Sequence, residues 1–133
     1  MKLSVKSRYG LKVMLVLAEH YGDGAIPLSS IATWTSISEP YLEKLFSLLK
    51  KAKLVSATRG ATGGYELVRP PKDIGVGEVV RGLEDGLEIV DCINGKCSEQ
   101  TKCATYSVWA KLYKAINDTL DNISLESLMN EDI

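Results

Sequence analysis

The sequence has one histidine, three cysteines and no long apolar run among its 133 residues. No stretch approaches the ~18 consecutive apolar residues that a membrane-spanning helix needs. The opening MKLSVKSRYG has no apolar core followed by small residues, which a secretory signal would require. We therefore expect a cytoplasmic protein without membrane association, in which thiols stay reduced.

The motifs of common enzyme classes are also missing. The single histidine, His20, has no serine or cysteine motif near it that could form a nucleophile–base pair. The glycine-rich stretch 60–64 is not followed by the Lys-Ser/Thr pair of a phosphate-binding loop. These absences predict that the chain is not an enzyme.

The net charge of −1 is the sum of two halves of opposite charge. Residues 1–72 hold 11 Lys and Arg against 5 Asp and Glu, a net charge of +6, whereas residues 73–133 hold 5 against 12, a net charge of −7. A basic half joined to an acidic half indicates that only the first half meets a polyanion. Charge alone does not identify nucleic acid as that partner. Together with the motifs described next, it divides the chain into a winged helix-turn-helix DNA-binding domain, 1–72, and a region with the cysteine loop and a dimerisation helix, 73–133.

Apolar periodicity predicts three helices in the basic half. The first covers residues 8–21 and the second residues 27–35. The third starts after Ser38, its predicted N-cap, and contains an apolar face opposite a lysine-rich face. Because only three residues separate the second helix from the third, we expect a helix-turn-helix with Ile37 filling the corner.

A glycine-rich hairpin follows the third helix. Strand-like runs at 54–58 and 65–68 flank a tight reversal at 59–64 that contains Arg59. The predicted fold is therefore mainly α with a small β-hairpin, a winged helix-turn-helix. We expect the third helix to enter a major groove of double-stranded DNA and the hairpin tip to reach the backbone or the minor groove.

Three residues near the start of the third helix are candidates for base contact: Tyr41, Glu43 and Lys44. A carboxylate facing DNA is repelled by phosphate unless it accepts a hydrogen bond, most simply from cytosine N4. The alternative for Glu43 is an exposed residue near the positive end of the helix dipole. The alternative for Tyr41 is a partly buried position.

The acidic half contains a helix at 76–83 and a long C-terminal helix at 104–122, followed by a short turn capped by Ser124. Four apolar residues of the long helix recur at four-residue spacing: Val108, Leu112, Ile116 and Leu120. Such a stripe predicts a homodimer whose two-fold axis matches a palindromic operator. The alternative is a helix that folds back on its own subunit.

Cys92, Cys97 and Cys103 lie in one polar loop with the spacing C-x4-C-x5-C. An odd number of cysteines argues against a disulfide framework. The cluster of three favours a metal cofactor, and reactive thiols and zinc are the alternatives. An iron–sulfur cluster suits thiolates at this wide spacing, but it needs a fourth ligand from elsewhere.

Several segments together resemble a known family: KLSVKSRYGL, PLSSIA, ISEPYLEKLFSLLKKAKLV, RGATGGYEL, IGVGEVVRGLE and LDNISLESL. They cover nearly the whole chain and are similar to the Rrf-type winged-helix repressors, which include IscR, the nitric-oxide sensor NsrR and the cysteine regulator CymR. The three-cysteine loop favours the IscR branch. The resemblance implies a dimeric transcription regulator, expected to be a repressor, that binds a 2Fe–2S cluster and controls genes for iron–sulfur cluster assembly.

The same resemblance implies roles for individual residues. Cys92, Cys97 and Cys103 would be cluster ligands, Arg59 and Gly60 would enter the minor groove, and Tyr41, Glu43 and Lys44 would face the major groove. Rival functions are the same fold responding to nitric oxide or cysteine supply, and a DNA-independent iron–sulfur redox protein.

The sequence departs from the family's pattern at three places, and the fourth ligand is unassigned as a result. The first cysteine gap is four residues instead of five, and Tyr106 stands where a histidine is common. Arg8 stands where NsrR-like proteins have an aspartate. The remaining candidates are His20, Asp91, Glu99 and a non-protein thiol, and for His20 we favour a surface position at the end of the first helix.

Overall fold

Helices make up most of the structure, a computed structural model that describes residues 2–94 and 103–133. The helices are α1 (Val5–Glu19), α2 (Leu28–Thr35), α3 (Glu39–Lys51), α4 (Val76–Leu83), α5 (Tyr106–Asp121) and α6 (Leu125–Met129). The strands β1 (Val55–Thr58) and β2 (Gly64–Leu67) form an antiparallel hairpin between α3 and α4. The predicted mainly α fold with a small β-hairpin is confirmed.

Most predicted elements match, and the largest differences lie at the helix ends. The α4 helix has the predicted bounds, whereas α5 is shorter than the predicted 104–122. The predicted start of α1 at residue 8 was wrong, because this helix begins at Val5. The Glu84 carboxylate accepts hydrogen bonds from the Ser4 N–H and the Ser4 hydroxyl, both at 2.7 Å, and so stabilises an earlier helix start.

One hydrophobic core holds α1, α2 and α3 together. Its fully buried side chains include Met14, Ile31, Leu42, Phe46 and Leu49. The same cluster also contains residues from the second half of the chain, namely Ile74, Val79, Leu83 and Leu125. Both halves therefore contribute to one core, and the functional division at residue 72 stays a prediction.

The turn between α2 and α3 consists of residues 36–38. Ile37 is 7% exposed and belongs to the core cluster, which confirms that it fills the corner. Ser38 occupies the N-cap position of α3, but its side chain makes no capping hydrogen bond. Its carbonyl oxygen instead accepts the Leu42 N–H at 2.9 Å.

The α5 helix packs on its own subunit along only part of its apolar surface. Tyr113 and Leu120 contact the small cluster formed by Val76, Val80 and Leu87. Arg81 of α4 donates a hydrogen bond to Asn117 Oδ1 at 2.9 Å and forms an ion pair with Asp121. In contrast, Val108 is 55% and Leu112 45% exposed, so the predicted stripe divides between an inward and an outward face.

Among the described helices, none is long and apolar enough to cross a membrane.

The Glu84 carboxylate joins the end of α4 to the start of α1. Besides the two bonds from Ser4, its Oε1 atom accepts the Ser7 hydroxyl at 2.6 Å. Partial burial opposes ionisation of Glu84, but the hydrogen bonds from Ser7 and Ser4 and the nearby Lys6 charge outweigh it. The pKa of Glu84 therefore lies below its ordinary value of 4.5.

We expect Glu84→Gln to lower the free energy of unfolding by about 1–2 kcal/mol at pH 7, since a neutral amide accepts weaker hydrogen bonds than a carboxylate. Because folding lowers the pKa of Glu84, its stabilisation is present above pH 4.5 and is lost as the pH falls below that value. Urea unfolding of both proteins at pH 7 and pH 3 measures the difference. Glu88→Gln, at an exposed position, is the control. A deficit as large at pH 3 as at pH 7 would contradict this role.

Candidate nucleic-acid interface

The α3 helix has one buried and one exposed face. Leu42, Leu45, Phe46 and Leu49 are each at most 1% exposed. The opposite face is exposed and polar or charged apart from one proline, and it consists of Glu39, Pro40, Glu43, Lys44, Ser47, Lys50 and Lys51. The helix is therefore fixed by its apolar side and presents a continuous polar surface.

Two of the predicted contact residues of α3, Glu43 and Lys44, are exposed on this surface. Ser47 lies on the same face, and our sequence reasoning missed it. Its spacing in the sequence could have indicated it. Ser47 stands four residues after Glu43 and three after Lys44, which places the three side chains side by side on the helix. A serine hydroxyl is a suitable donor or acceptor for phosphate or base edges.

Tyr41 is half-buried, unlike Glu43 and Lys44. Its ring packs edge-to-face on Tyr9 of α1, with centroids 5.8 Å apart and planes at 83°. The ring also packs against the main core cluster. This geometry favours the alternative reading of Tyr41 as a partly buried residue that joins α3 to α1.

The hairpin places Arg59 and Gly60 at its exposed tip. The ladder runs from the pair Val55–Leu67 to the pair Thr58–Gly64, so the residues between them form the turn. Gly60 has a φ of 105°, a left-handed conformation that favours glycine. Its carbonyl oxygen accepts the Gly63 N–H at 3.0 Å, which closes the tip.

The hairpin is held against α3 by an aromatic stack. Phe46 of α3 lies parallel to Tyr65 of β2, with ring centroids 4.0 Å apart and planes at 7°. The Tyr65 backbone exchanges hydrogen bonds of 2.9 and 2.8 Å with Ile26, just before α2. The hairpin is therefore tied both to α3 and to the segment that leads into α2.

The exposed face of α3 and the hairpin tip border one groove of about 570 Å³. Its lining includes Glu39 and Lys50 from α3 and Arg59 and Gly60 from the tip. Lysine and arginine around such a groove suit contacts to DNA phosphates, which position a protein on the duplex.

Two of the three cysteines lie within the described residues. Cys92 is half-buried in a 3₁₀ turn at Asp91–Asn94, and Cys103 is exposed just before α5. This turn contacts α5, and Cys103 lies three residues before the start of α5. Cys97 and the candidate ligand Glu99 lie outside the described residues, and the three-cysteine ligand set stays a prediction. Thiolates are nevertheless the donors that iron–sulfur clusters use, so the residues fit such a group chemically.

The other candidates for a fourth ligand differ in their surroundings. The His20 ring stacks on Trp34 at 4.6 Å, and its Nδ1 atom lies 2.9 Å from the Val16 carbonyl oxygen. The candidate Asp91 is exposed in the 3₁₀ turn that holds Cys92. Tyr106, which is not a candidate and stands where a histidine is common in the family, is the first residue of α5. Within residues 2–94 and 103–133, no three Cys, His, Asp or Glu side chains are grouped closely enough to hold a metal ion.

Comparison with known proteins gives consistent results. The profile of the Rrf2 family, described as an iron-dependent transcriptional regulator, matches residues 3–131. The HTH-type transcriptional regulator IscR of Aliivibrio salmonicida is 42% identical over 131 residues, which are 97% of this chain and 77% of that protein. The solved structure of T. potens IscR has a TM-score of 0.78 and 41% identity, and the match covers 100% of this chain and 89% of that chain.

A second solved structure is CymR, the global cysteine regulator of B. subtilis. It has a TM-score of 0.80 and 37% identity, over 98% of both chains. These similarities confirm the predicted resemblance, and they support the prediction that the chain is not an enzyme because the relatives are transcriptional regulators. The chain therefore belongs to the Rrf2 family and is a winged-helix, DNA-binding transcriptional regulator.

Proposed function

We propose that this protein is a homodimeric repressor that senses an iron–sulfur cluster and controls genes for cluster assembly by binding a palindromic operator. The observation that carries the DNA-binding part is the polar surface shared by α3 and the hairpin tip. Both elements are fixed to one core through the Phe46–Tyr65 stack. A reading surface held this rigidly needs little ordering on binding, which favours specific recognition.

On this proposal Glu43, Lys44 and Ser47 read the major groove, because they share the exposed face of α3. Arg59 and Gly60 enter the minor groove, where an arginine at a narrow tip suits the negative potential of A·T-rich sequence. Tyr41 contributes with its exposed edge only, since its ring is packed on Tyr9. The exposed lysines at the end of α3 contact phosphates and make binding dependent on salt.

The proposed sensing site consists of Cys92, Cys97 and Cys103 with a fourth ligand outside this set. When bound, an iron–sulfur cluster would cross-link its thiolate ligands, and oxidants could alter that cross-link. Cys92 belongs to a turn that contacts α5, and α5 packs on α4. A cross-link among the three cysteines would thus act on the contacts that α5 makes with this turn and with α4. A tenfold to hundredfold change in operator preference needs only about 1.4 to 3 kcal/mol of coupling.

The proposed dimer forms through the outward face of α5. Val108 and Leu112 are exposed there, whereas Tyr113 and Leu120 pack on the same subunit. A helix of this length is about 24 Å long, enough to align against its own symmetry mate. A two-fold axis through α5 would place two reading heads on two half-sites of one duplex.

The similarity to CymR favours one competing signal, which is cysteine supply. The three clustered cysteines favour the iron–sulfur reading, because their spacing suits thiolate ligands. A metal analysis of the protein separates these two signals without altering the DNA-binding proposal.

Arg59→Ala is expected to weaken binding to the operator by about 1–3 kcal/mol, because it removes the only cation at the hairpin tip, residues 59–64. The operator is the duplex that the wild-type protein selects from a random-sequence pool, and gel shift measures the affinity. Lys72→Ala removes an exposed charge outside α3 and the hairpin, and serves as the control. Equal losses in the two variants would argue against a specific role for the tip.

Replacing all three cysteines by alanine is expected to abolish visible absorbance and bound iron and sulfide in protein purified without oxygen. The physical reason is that no thiolate would remain to bind iron, since the chain has no further cysteine. Absorption spectra with iron and sulfide analysis make the measurement. A colourless, iron-free wild-type protein under the same conditions would reject the cluster.

Leu112→Glu is expected to convert the dimer into a folded monomer, since it places a charge in an apolar interface. Size-exclusion chromatography with light scattering gives the mass, and circular dichroism checks the fold. Ser107→Glu adds the same charge at an exposed position near the start of α5 and is expected to leave the dimer intact. A dimeric Leu112→Glu protein would exclude this face as the interface.

A further inference from the structure

The turn between α2 and α3 contains a residue in an unfavourable backbone conformation. Ser36, at the C-cap of α2, has φ 60° and ψ 27°, which is the left-handed region that glycine or asparagine usually occupies. A serine there carries a Cβ that crowds the following carbonyl group, so surrounding contacts must hold the conformation in place.

Thr35 supplies the local part of this support. Its side chain is almost fully buried, and its hydroxyl donates to the Ile31 carbonyl oxygen at 2.7 Å. The same hydroxyl oxygen accepts the Ile37 N–H at 3.3 Å, across the strained residue. The Ser36 N–H donates to the Ala32 carbonyl oxygen at 2.9 Å. The turn is thus bonded on both sides of Ser36.

Lys12 supplies the long-range part of the support. Its Nζ atom lies 3.0 Å from the carbonyl oxygen of Thr35, to which it donates a hydrogen bond. The last turn of α2 contains no basic residue of its own, so Lys12 is the cation that meets the negative end of the α2 dipole. Lys12 projects from α1 next to Val13 and Met14, whose side chains are 0% exposed, so its own backbone is well fixed.

The consequence for DNA recognition follows from the shortness of the turn. Only residues 36–38 separate α2 from α3, so a change of backbone angle at Ser36 is carried directly to the start of α3. Lys12 also stands on the same helix as Tyr9, whose ring contacts Tyr41 in the first turns of α3. The α1 helix therefore contacts the end of α2 through Lys12 and the first turn of α3 through Tyr9.

We propose that Lys12 is a positioning residue, which holds the Thr35–Ile37 turn and thereby sets the angle at which α3 presents its exposed face to DNA. A lysine in the basic half of a DNA-binding protein would ordinarily be assigned to phosphate. The hydrogen bond to Thr35 gives Lys12 a different role. Replacing Lys12 should lower the preference for the operator sequence and leave non-specific binding to DNA unchanged. This inference rests on the proposed reading role of α3.

The test compares wild-type protein with Lys12→Met, Lys12→Arg and the double variant Lys12→Met/Ser36→Gly. Each binds two duplexes, the operator selected by the wild-type protein and an unselected random sequence, over a series of salt concentrations. Lys12→Met is expected to bind the operator about tenfold more weakly, while its affinity for the random duplex and its salt slope match the wild type. Lys12→Arg keeps a donor at this position and is expected to keep most of the preference.

The double variant separates a turn-holding role from a phosphate contact. Glycine adopts the left-handed conformation without a Cβ, so Ser36→Gly should restore most of the operator preference lost in Lys12→Met. Hydrogen exchange gives a readout without DNA, since the Ser36 and Ile37 amides should exchange faster in Lys12→Met than in wild type. Circular dichroism checks that each variant is folded.

Several results would overturn the inference. A parallel loss on both duplexes, with the salt slope reduced by about 0.9, would identify Lys12 as a phosphate contact. Unchanged operator binding or unchanged exchange at Ser36 and Ile37 would show that the turn does not need Lys12. An unfolded Lys12→Met protein would assign Lys12 to folding instead. A wild-type protein that selects no sequence would remove the proposed function itself, a result distinct from all the others.

Discussion

The stacking of Phe46 on Tyr65 is the contact on which the proposed DNA-reading surface depends. Phe46 is the only phenylalanine in the chain and is 1% exposed, and its ring lies 4.0 Å from that of Tyr65. Removing a buried aromatic side chain typically costs about 3–5 kcal/mol. Because Tyr65 also pairs with Ile26, this one stack connects α3, the hairpin and the entry to α2.

The α1 helix organises the rest of the molecule around that surface. Its start is fixed by Glu84 at the end of α4, and its middle contacts the helix-turn-helix through Tyr9 and Lys12. The segment after Glu84 leads to Cys92. The same helix therefore contacts both Glu84, eight residues before Cys92, and Tyr41 of α3. Under the proposed function, α1 would connect the sensing site with the surface that binds DNA.

Much of this arrangement could be predicted from local sequence. The three- and four-residue spacing of Leu42, Leu45 and Leu49 defined the buried face of α3, and the glycines around Arg59 defined the hairpin tip. The contacts of Lys12 with Thr35 and of Glu84 with Ser4 join residues far apart in the chain, so no local pattern could indicate them.

The long C-terminal helix shows a second limit of sequence reasoning. Val108, Leu112, Ile116 and Leu120 form one stripe by spacing, but Leu120 packs inside the subunit while Val108 and Leu112 are exposed. Periodicity identifies an apolar face, whereas the position of α4 decides which part of that face is covered. The ligand set of Cys92, Cys97 and Cys103 also stays a prediction from sequence, because Cys97 lies outside the described residues.

In the proposed function, α3 and the hairpin tip act as one DNA-reading surface. Hydrogen exchange with mass spectrometry, on the protein with and without its selected duplex, tests this claim most directly. We predict that DNA protects the peptides covering residues 39–51 and 58–64 together, at the same DNA concentration. Protection confined to other helices, or to only one of these two peptides, would contradict it.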